Sequence, residues 1–311
     1  MINRELIRLK VVQLIYAYYQ NEGKTLDVAT KELDFSLQKA YDLYLNLLYL
    51  LVEIKKMADK YAEISKAHNE RMGIMQKEKP ASLILSQNLF LNQLSENTTL
   101  REYMEKHANV WSDEDALVKK LYQAFIESEA FQLYNNGTEG DYDADRELIR
   151  KLYKNLISDN EDFDSILEEQ SLYWNDDKAV VDSFILKTIK RFHPETKAEQ
   201  PLLPAYGSDD DYEFAHELFR QTIVRGEEVR EMIRTNCKNW EFSRLTFMDV
   251  IISQIALTEI LTFPNIPLNV SFNEYLDIAK SYSTPKSSSY INGLLDHIVK
   301  QLKSEGVIMK D

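Results

Sequence analysis

The stretch Ile266–Ile298, IPLNVSFNEYLDIAKSYSTPKSSSYINGLLDHI, carries two helical patterns joined by a turn rich in proline and serine. Ile291, Leu294, Leu295, Ile298, Val299 and Leu302 recur at the spacing of a helix that buries one face, and Gly306 can end it. Phe272, Leu276 and Ala279 give the preceding helix its own apolar face. Ser271 and Glu274 have the S-x-x-E spacing of a capping box, with Val270 and Tyr275 placed for a hydrophobic staple. Gly293 stands inside the last helix at a cost of about 1 kcal/mol relative to alanine, which predicts close approach of another backbone. Asn292 beside it predicts a bond across the helix pair. Ser271, Glu274, Asn292 and Gly293 are therefore read as structural residues.

Just upstream, FSRLTFMDVIISQIALTEILTF (242–263) is apolar on most sides, with Asp249 and Glu259 as exceptions, and predicts a central helix. The same character extends through the chain. Only 8 Gly and 7 Pro occur in 311 residues, too few turn residues for a hairpin-rich sheet, so the expected class is all-α. Helical patterns cover 2–20, ended by Gly23, then 27–65, several short segments between 83 and 129, 147–192, and four or five helices over 212–306. Loops are expected at 70–81 and in the acidic, turn-rich segment 135–145. Residues 193–211 hold three prolines and read as a linker. Displaced by 66 positions, Leu148–Phe192 overlays Phe214–Thr258 without gaps and brings Trp174 onto Trp240. Shared helical periodicity and a duplicated unit both account for that echo.

Net charge is −14, so contact with nucleic acid requires a locally basic face, whereas a basic protein partner suits the whole molecule. The single cysteine, Cys237, excludes a disulfide framework within the chain and a multi-cysteine zinc site, and reads as a small buried apolar group. The five histidines include no H-x-x-x-H pair, so neither metal nor other cofactor is expected. The N-terminal stretch is a poor signal peptide and no apolar run approaches a membrane span, which predicts no membrane partner and a cytoplasmic setting.

Two places resist a purely architectural reading. Arg4, Arg8 and Lys10 crowd the first turns of the first helix, where positive charge opposes the macrodipole, so phosphate contact competes with a solvated face. Lys286 and Tyr290 open the last helix. A helix N-terminus attracts phosphate and a tyrosine there can stack on an unpaired base, against the plainer reading of ordinary packing contacts.

NW-x-x-x-RL, IALTEIL, IPLNVSFNEYLDIAKSY and YINGLLDHI, in that order, resemble the C-terminal part of the NusB transcription antitermination family. RLKVVQLIYAYYQ is similar to its opening, with Arg8, Gln13 and Tyr16 in register, and YEFAHELFRQTIVRGEEVREMI to its middle. The resemblance implies two small helical bundles and binding of a boxA-type single-stranded leader RNA together with the small-subunit ribosomal protein NusE. It also implies action on the RNA polymerase elongation complex, chiefly at ribosomal RNA operons. Arg4, Arg8, Lys10, Lys286 and Tyr290 then become candidate RNA contacts, and Asp249 matches an acidic position at the partner surface. Gln254 stands where the family usually has arginine, which removes a possible ion pair. The implied division is 1–52 and 212–311 as the NusB-like part. A helical insertion, 53–211, has no counterpart and is expected to add a second binding surface.

Some ribosomal RNA methyltransferases carry a NusB-like domain, but their chemistry needs a glycine-rich nucleotide loop and a reactive cysteine, and no such loop occurs. An enzyme is not expected. An acidic helical interaction scaffold without direct RNA binding is the alternative.

Overall fold

The computed structural model describes residues 1–21, 24–73, 79–135, 141–174, 176–237 and 245–310. Gly23 and most of the NW-x-x-x-RL motif, Trp240 included, lie outside the described residues. Among those described, the architecture is all-helical, and the only extended pairing is an isolated bridge between Ile2 and Tyr206. In chain order the helices are α1 (Arg4–Gln20), α2 (Leu26–Met72), α3 (Ala81–Ser86), α4 (Leu89–Glu96), α5 (Thr98–Lys106), α6 (Asp115–Glu127) and α7 (Glu129–Asn135). There follow α8 (Tyr142–Tyr153), which runs into a wide turn over Lys154–Ser158, α9 (Glu161–Gln170) and α10 (Lys178–Arg191). A tight turn at Pro194–Glu199 precedes α11 (Asp209–Val224), α12 (Gly226–Asn236), α13 (Phe247–Thr262), α14 (Leu268–Tyr282) and α15 (Ser287–Ser304).

The chain forms two compact units, one of Ile2–Gln38 with Tyr206–Asp311, the other of Met1 with Lys39–Ala205. The division falls within α2. In the unit built from both chain ends, α13 is the core helix, with α1, α11, α12, α14 and α15 packed around it. Its apolar residues from Ile251 to Ile260 are all buried, as the unbroken hydrophobic pattern requires. The α15 stripe from Ile291 to Leu302 is buried throughout.

The second unit gathers around the middle of α2. Tyr44 bonds Thr188 Oγ1 at 2.7 Å, and the Trp111 and Trp174 indole N–H groups donate to the Asn46 and Lys39 carbonyls. The proline-rich segment breaks helix but is not loose. Gln93 donates to the His193 and Lys197 carbonyls, Asn97 to that of Gln200, and the Leu203 N–H to Tyr44.

The 66-position echo has a structural counterpart. Displaced by 66, Glu161–Gln170 falls on Glu227–Asn236 within α12, and α10 falls on 244–257 against α13 at Phe247–Thr262. Leu152 and Leu218, Phe163 and Val229, Leu167 and Ile233, Ile185 and Ile251, Ile189 and Ile255 are buried in both units. The helix pairs correspond as well, since α8 packs on α10 as α11 packs on α13. Periodicity alone accounts for matching stripes. Helix order and the shared α8–α10 and α11–α13 packing agree with a duplicated three-helix unit, whereas α12 packs on α11 and α13 more closely than α9 does on α8 and α10.

Candidate nucleic-acid interface

At the N-terminal end of α1, Asn3 caps the helix by accepting from the Leu6 N–H at 3.0 Å. One turn further on, Arg8 faces α13 and forms a bidentate pair with Glu259, Nε to Oε2 at 2.8 Å and Nη2 to Oε1 at 3.0 Å. Glu259 also accepts from Ser271 Oγ (2.7 Å) and the Tyr275 hydroxyl (2.8 Å), so four donors converge on one buried carboxylate. Glu274 adds a second acid 3.3 Å from Arg8 Nη1. Burial opposes the Arg8 charge, but the hydrogen bond and charge of Glu259 outweigh it and raise the guanidinium pKa. Burial raises the Glu274 pKa against the pull of Arg8, with Glu5 and Glu259 adding to the rise.

This network corrects several expectations. Arg8 and Lys10 are 2% and 1% exposed and belong to the core, not to an RNA-facing surface. Ser271 and Glu274 do not form a capping box, because Pro267 starts α14 a turn earlier and leaves Ser271 inside the helix. The staple is absent too, since Val270 is exposed while Tyr275 is buried. Arg4 is half-exposed, stacked 4.9 Å from the Phe214 ring and 3.4 Å from Asp211. The cavity beside it, about 340 Å³, is also lined by Glu5 and Glu274, which disfavour an anion there.

At the N-terminal end of α13, Thr246 and Asp249 make the reciprocal capping box. The remaining Asp249 oxygen accepts from Ser283 Oγ at 2.6 Å, and Ser283 continues to Ser287 at the start of α15. Asp249 is thus a buried cap that fixes the turn between α14 and α15. Asp249→Ala is expected to lower stability by about 1 kcal/mol, read from the denaturant midpoint. Tyr290 is half-buried with its hydroxyl enclosed beside Cys237, whose thiol pKa burial raises above the ordinary value. Lys286 is exposed at the N-cap position of α15, where a cation opposes the helix dipole. Asn292 is exposed, so the expected bond across the helix pair gives way to solvent, and Gly293 is half-buried.

Asp249 and Glu259 are ten residues apart on α13, a rise of about 15 Å. The Arg8 cluster and the Lys286–Tyr290 segment therefore occupy opposite ends of the core helix, and the chain ends do not build the single pocket that their chemistry implied. The structure brings together a different set. Helix α1 runs antiparallel to α13, so its C-terminal half reaches the start of α13, where Tyr16 and Phe247 meet at 5.4 Å between ring centroids. Gln13 donates to the Tyr282 hydroxyl at 3.3 Å. Tyr19 lies under Arg230 (3.5 Å) and accepts from Gln254, whose carbonyl oxygen accepts from Arg230 Nε. The missing ion pair at Gln254 is replaced by this network. Phe247 is 39% exposed, and Tyr16, Tyr18 and Tyr282 are half-buried. Thr246 touches Ser283 at 3.2 Å, which places the Phe247 end of α13 beside the turn carrying Lys286.

Tyr16 and Tyr19 were hidden in the sequence because their 3–4 spacing merges with the core stripe of α1. The available signals were the register of Tyr16 with the family's opening and the density of tyrosine in IYAYYQ. Among the described residues no cluster of three or more His, Cys, Asp or Glu could hold a metal, and no helix is long and apolar enough to cross a membrane.

The family model for the NusB family matches residues 187–300. The chain is 40% identical over 98 residues to the transcription antitermination protein NusB of Salinibacter ruber, covering 32% of this chain and 61% of that protein. It is 38% identical over 93 residues to that of Natranaerobius thermophilus, covering 30% and 67%. To that of Geotalea daltonii it is 32% identical over 133 residues, covering 43% of this chain and 89% of the relative. No solved structure matches. With an all-helical fold and the greater part of that last relative covered, the chain belongs to the NusB family.

Proposed function

We propose that this protein is a transcription antitermination factor that binds a boxA-type single-stranded leader RNA together with the ribosomal protein NusE. In this reading it acts on the RNA polymerase elongation complex, chiefly at ribosomal RNA operons, and works by binding rather than catalysis. The observation that carries the RNA assignment is the Tyr16–Phe247 pair, partly exposed to solvent beside the Lys286 turn. Aromatic faces stack on unpaired bases, and a nearby cation answers the phosphates. Arg4, half-exposed at the far end of α1, is a separate and weaker contact in the same scheme. Strong negative charge on the rest of the molecule suits recruitment of a basic ribosomal protein.

Electrophoretic shift of a short leader RNA, with the protein alone and with NusE, tests the reading. A shift that strengthens when NusE is present is expected. Retention of NusE with no RNA shift in either lane would favour the acidic scaffold without direct RNA binding.

A further inference from the structure

The 66-position correspondence between α10 and α13 sets a covered face beside an open one. Around α13, helices α14 and α15 complete the bundle, and Ser253, Ala256 and Leu257 are fully buried. Their counterparts 66 positions earlier, on α10, are Lys187, Lys190 and Arg191, and all three are exposed. After α10 the chain enters the tight turn at Pro194–Glu199 and then α11, so no pair of helices equivalent to α14 and α15 follows. A position that is apolar or small and covered in one copy is cationic and uncovered in the other.

Helix α8 extends this face. It runs antiparallel to α10, with Tyr153 bonded to Asp182 at one end and Arg146 Nη1 reaching the Phe192 carbonyl at the other. Arg146, Arg150 and Lys154 follow one another at i, i+4 and i+8, so they lie along one edge of α8 at steps of about 6 Å. Two acids accompany them: Asp143 pairs with Arg146, and Glu147 with Arg150. Lys154, Lys187 and Lys190 have no ion-pair partner among the described residues.

Complementing helix dipoles explains only part of this. Lys190 and Arg191 sit in the last turn of α10, and Arg150 in that of α8. Because the helices are antiparallel, those two turns lie at opposite ends of the face, and Lys187 and Arg146 belong to neither. In a chain of net charge −14, unneutralised cations on adjoining turns form a local field of the sign that attracts polyanions.

We propose that the α8–α10 face binds the phosphodiester backbone of single-stranded RNA, as a second, sequence-independent contact of the insertion; this rests on the RNA-binding reading above. Phosphate contact, and not base readout, is assigned because Phe184, the aromatic ring beside the three α10 cations, is already covered by Lys187 at 4.9 Å.

The test is salt-titrated fluorescence anisotropy of the full chain with two probes, a homopolymeric uridine RNA and a short boxA-type RNA. The triple variant Lys154→Gln/Lys187→Gln/Lys190→Gln should flatten the salt slope for the homopolymer by about 2, at about 0.7 for each phosphate no longer neutralised. Homopolymer affinity at low salt should fall at least about tenfold, while the short RNA is bound as before. The exposed single variant Lys190→Gln should remove about a third of the slope change, which covers the case of a poorly folded triple variant. An unchanged homopolymer slope in a folded variant overturns the proposal, as does loss of binding to polyglutamate with RNA binding intact. Tyr16→Ala/Phe247→Ala separates the two sites. If that variant binds both RNAs normally while the lysine variant loses the homopolymer, the α1–α13 reading fails and the present inference stands.

Discussion

Replacing Glu259 by alanine is expected to cost about 3–5 kcal/mol of unfolding free energy. The reason lies in what remains. Arg8 would stay buried without its bidentate partner, and the Ser271 and Tyr275 hydroxyls would lose their shared acceptor. The reverse change, Arg8→Ala, strands the carboxylate and should cost a similar amount. The two losses are not additive, because both remove the same interaction. The double variant Arg8→Met/Glu259→Leu should regain much of the loss, since a buried pair gains little over an apolar pair of like volume. Urea midpoints for the three variants check this, and a Glu259→Ala protein within about 1 kcal/mol of wild type would contradict the assignment. One consequence concerns RNA. Lost binding in an Arg8 variant reports on folding, so Arg4→Ala is the clean probe of the α1 N-terminus.

Removing the partly exposed Tyr16–Phe247 ring pair should have the largest effect on binding. Each base stacked on an aromatic ring is worth about 1–3 kcal/mol, so Tyr16→Ala or Phe247→Ala should weaken short-RNA affinity about 5- to 150-fold. The salt slope should not change, because no charge is removed. Lys286→Ala should do the opposite, flattening the slope by about 0.7 with a smaller loss of affinity. This contrast distinguishes stacking from a general loss of structure, which would depress both quantities together. Phe247 is 39% exposed, so its truncation should lower the melting midpoint less than loss of a fully buried ring would.

The helices were legible because their signals are local. The α15 stripe and the all-round apolar pattern of α13 map directly onto burial. Acidic residues 141–145 looked like a loop but open α8, where negative charge favours a helix N-terminus. Long-range pairing was not legible. Arg8 looks like a surface cation because its partner Glu259 is 251 residues away in the chain. The same separation hides the roles of Ser271 and Glu274, whose capping-box spacing is genuine but whose side chains are drawn to Glu259 and Arg8. For Asp249 the converse holds, since its cap with Thr246 was readable locally but its bond to Ser283 was not. The 66-position echo was faint in identities, and burial and helix order add to it without matching every packing pair.

The central claim, that unpaired bases stack on the α1–α13 aromatic surface, is tested most directly by ultraviolet cross-linking of a boxA-type RNA followed by mapping of the modified peptides. Cross-links are predicted at Tyr16, Phe247 or Tyr282. Cross-links confined to peptides lacking all three, under conditions of saturated binding, would contradict it.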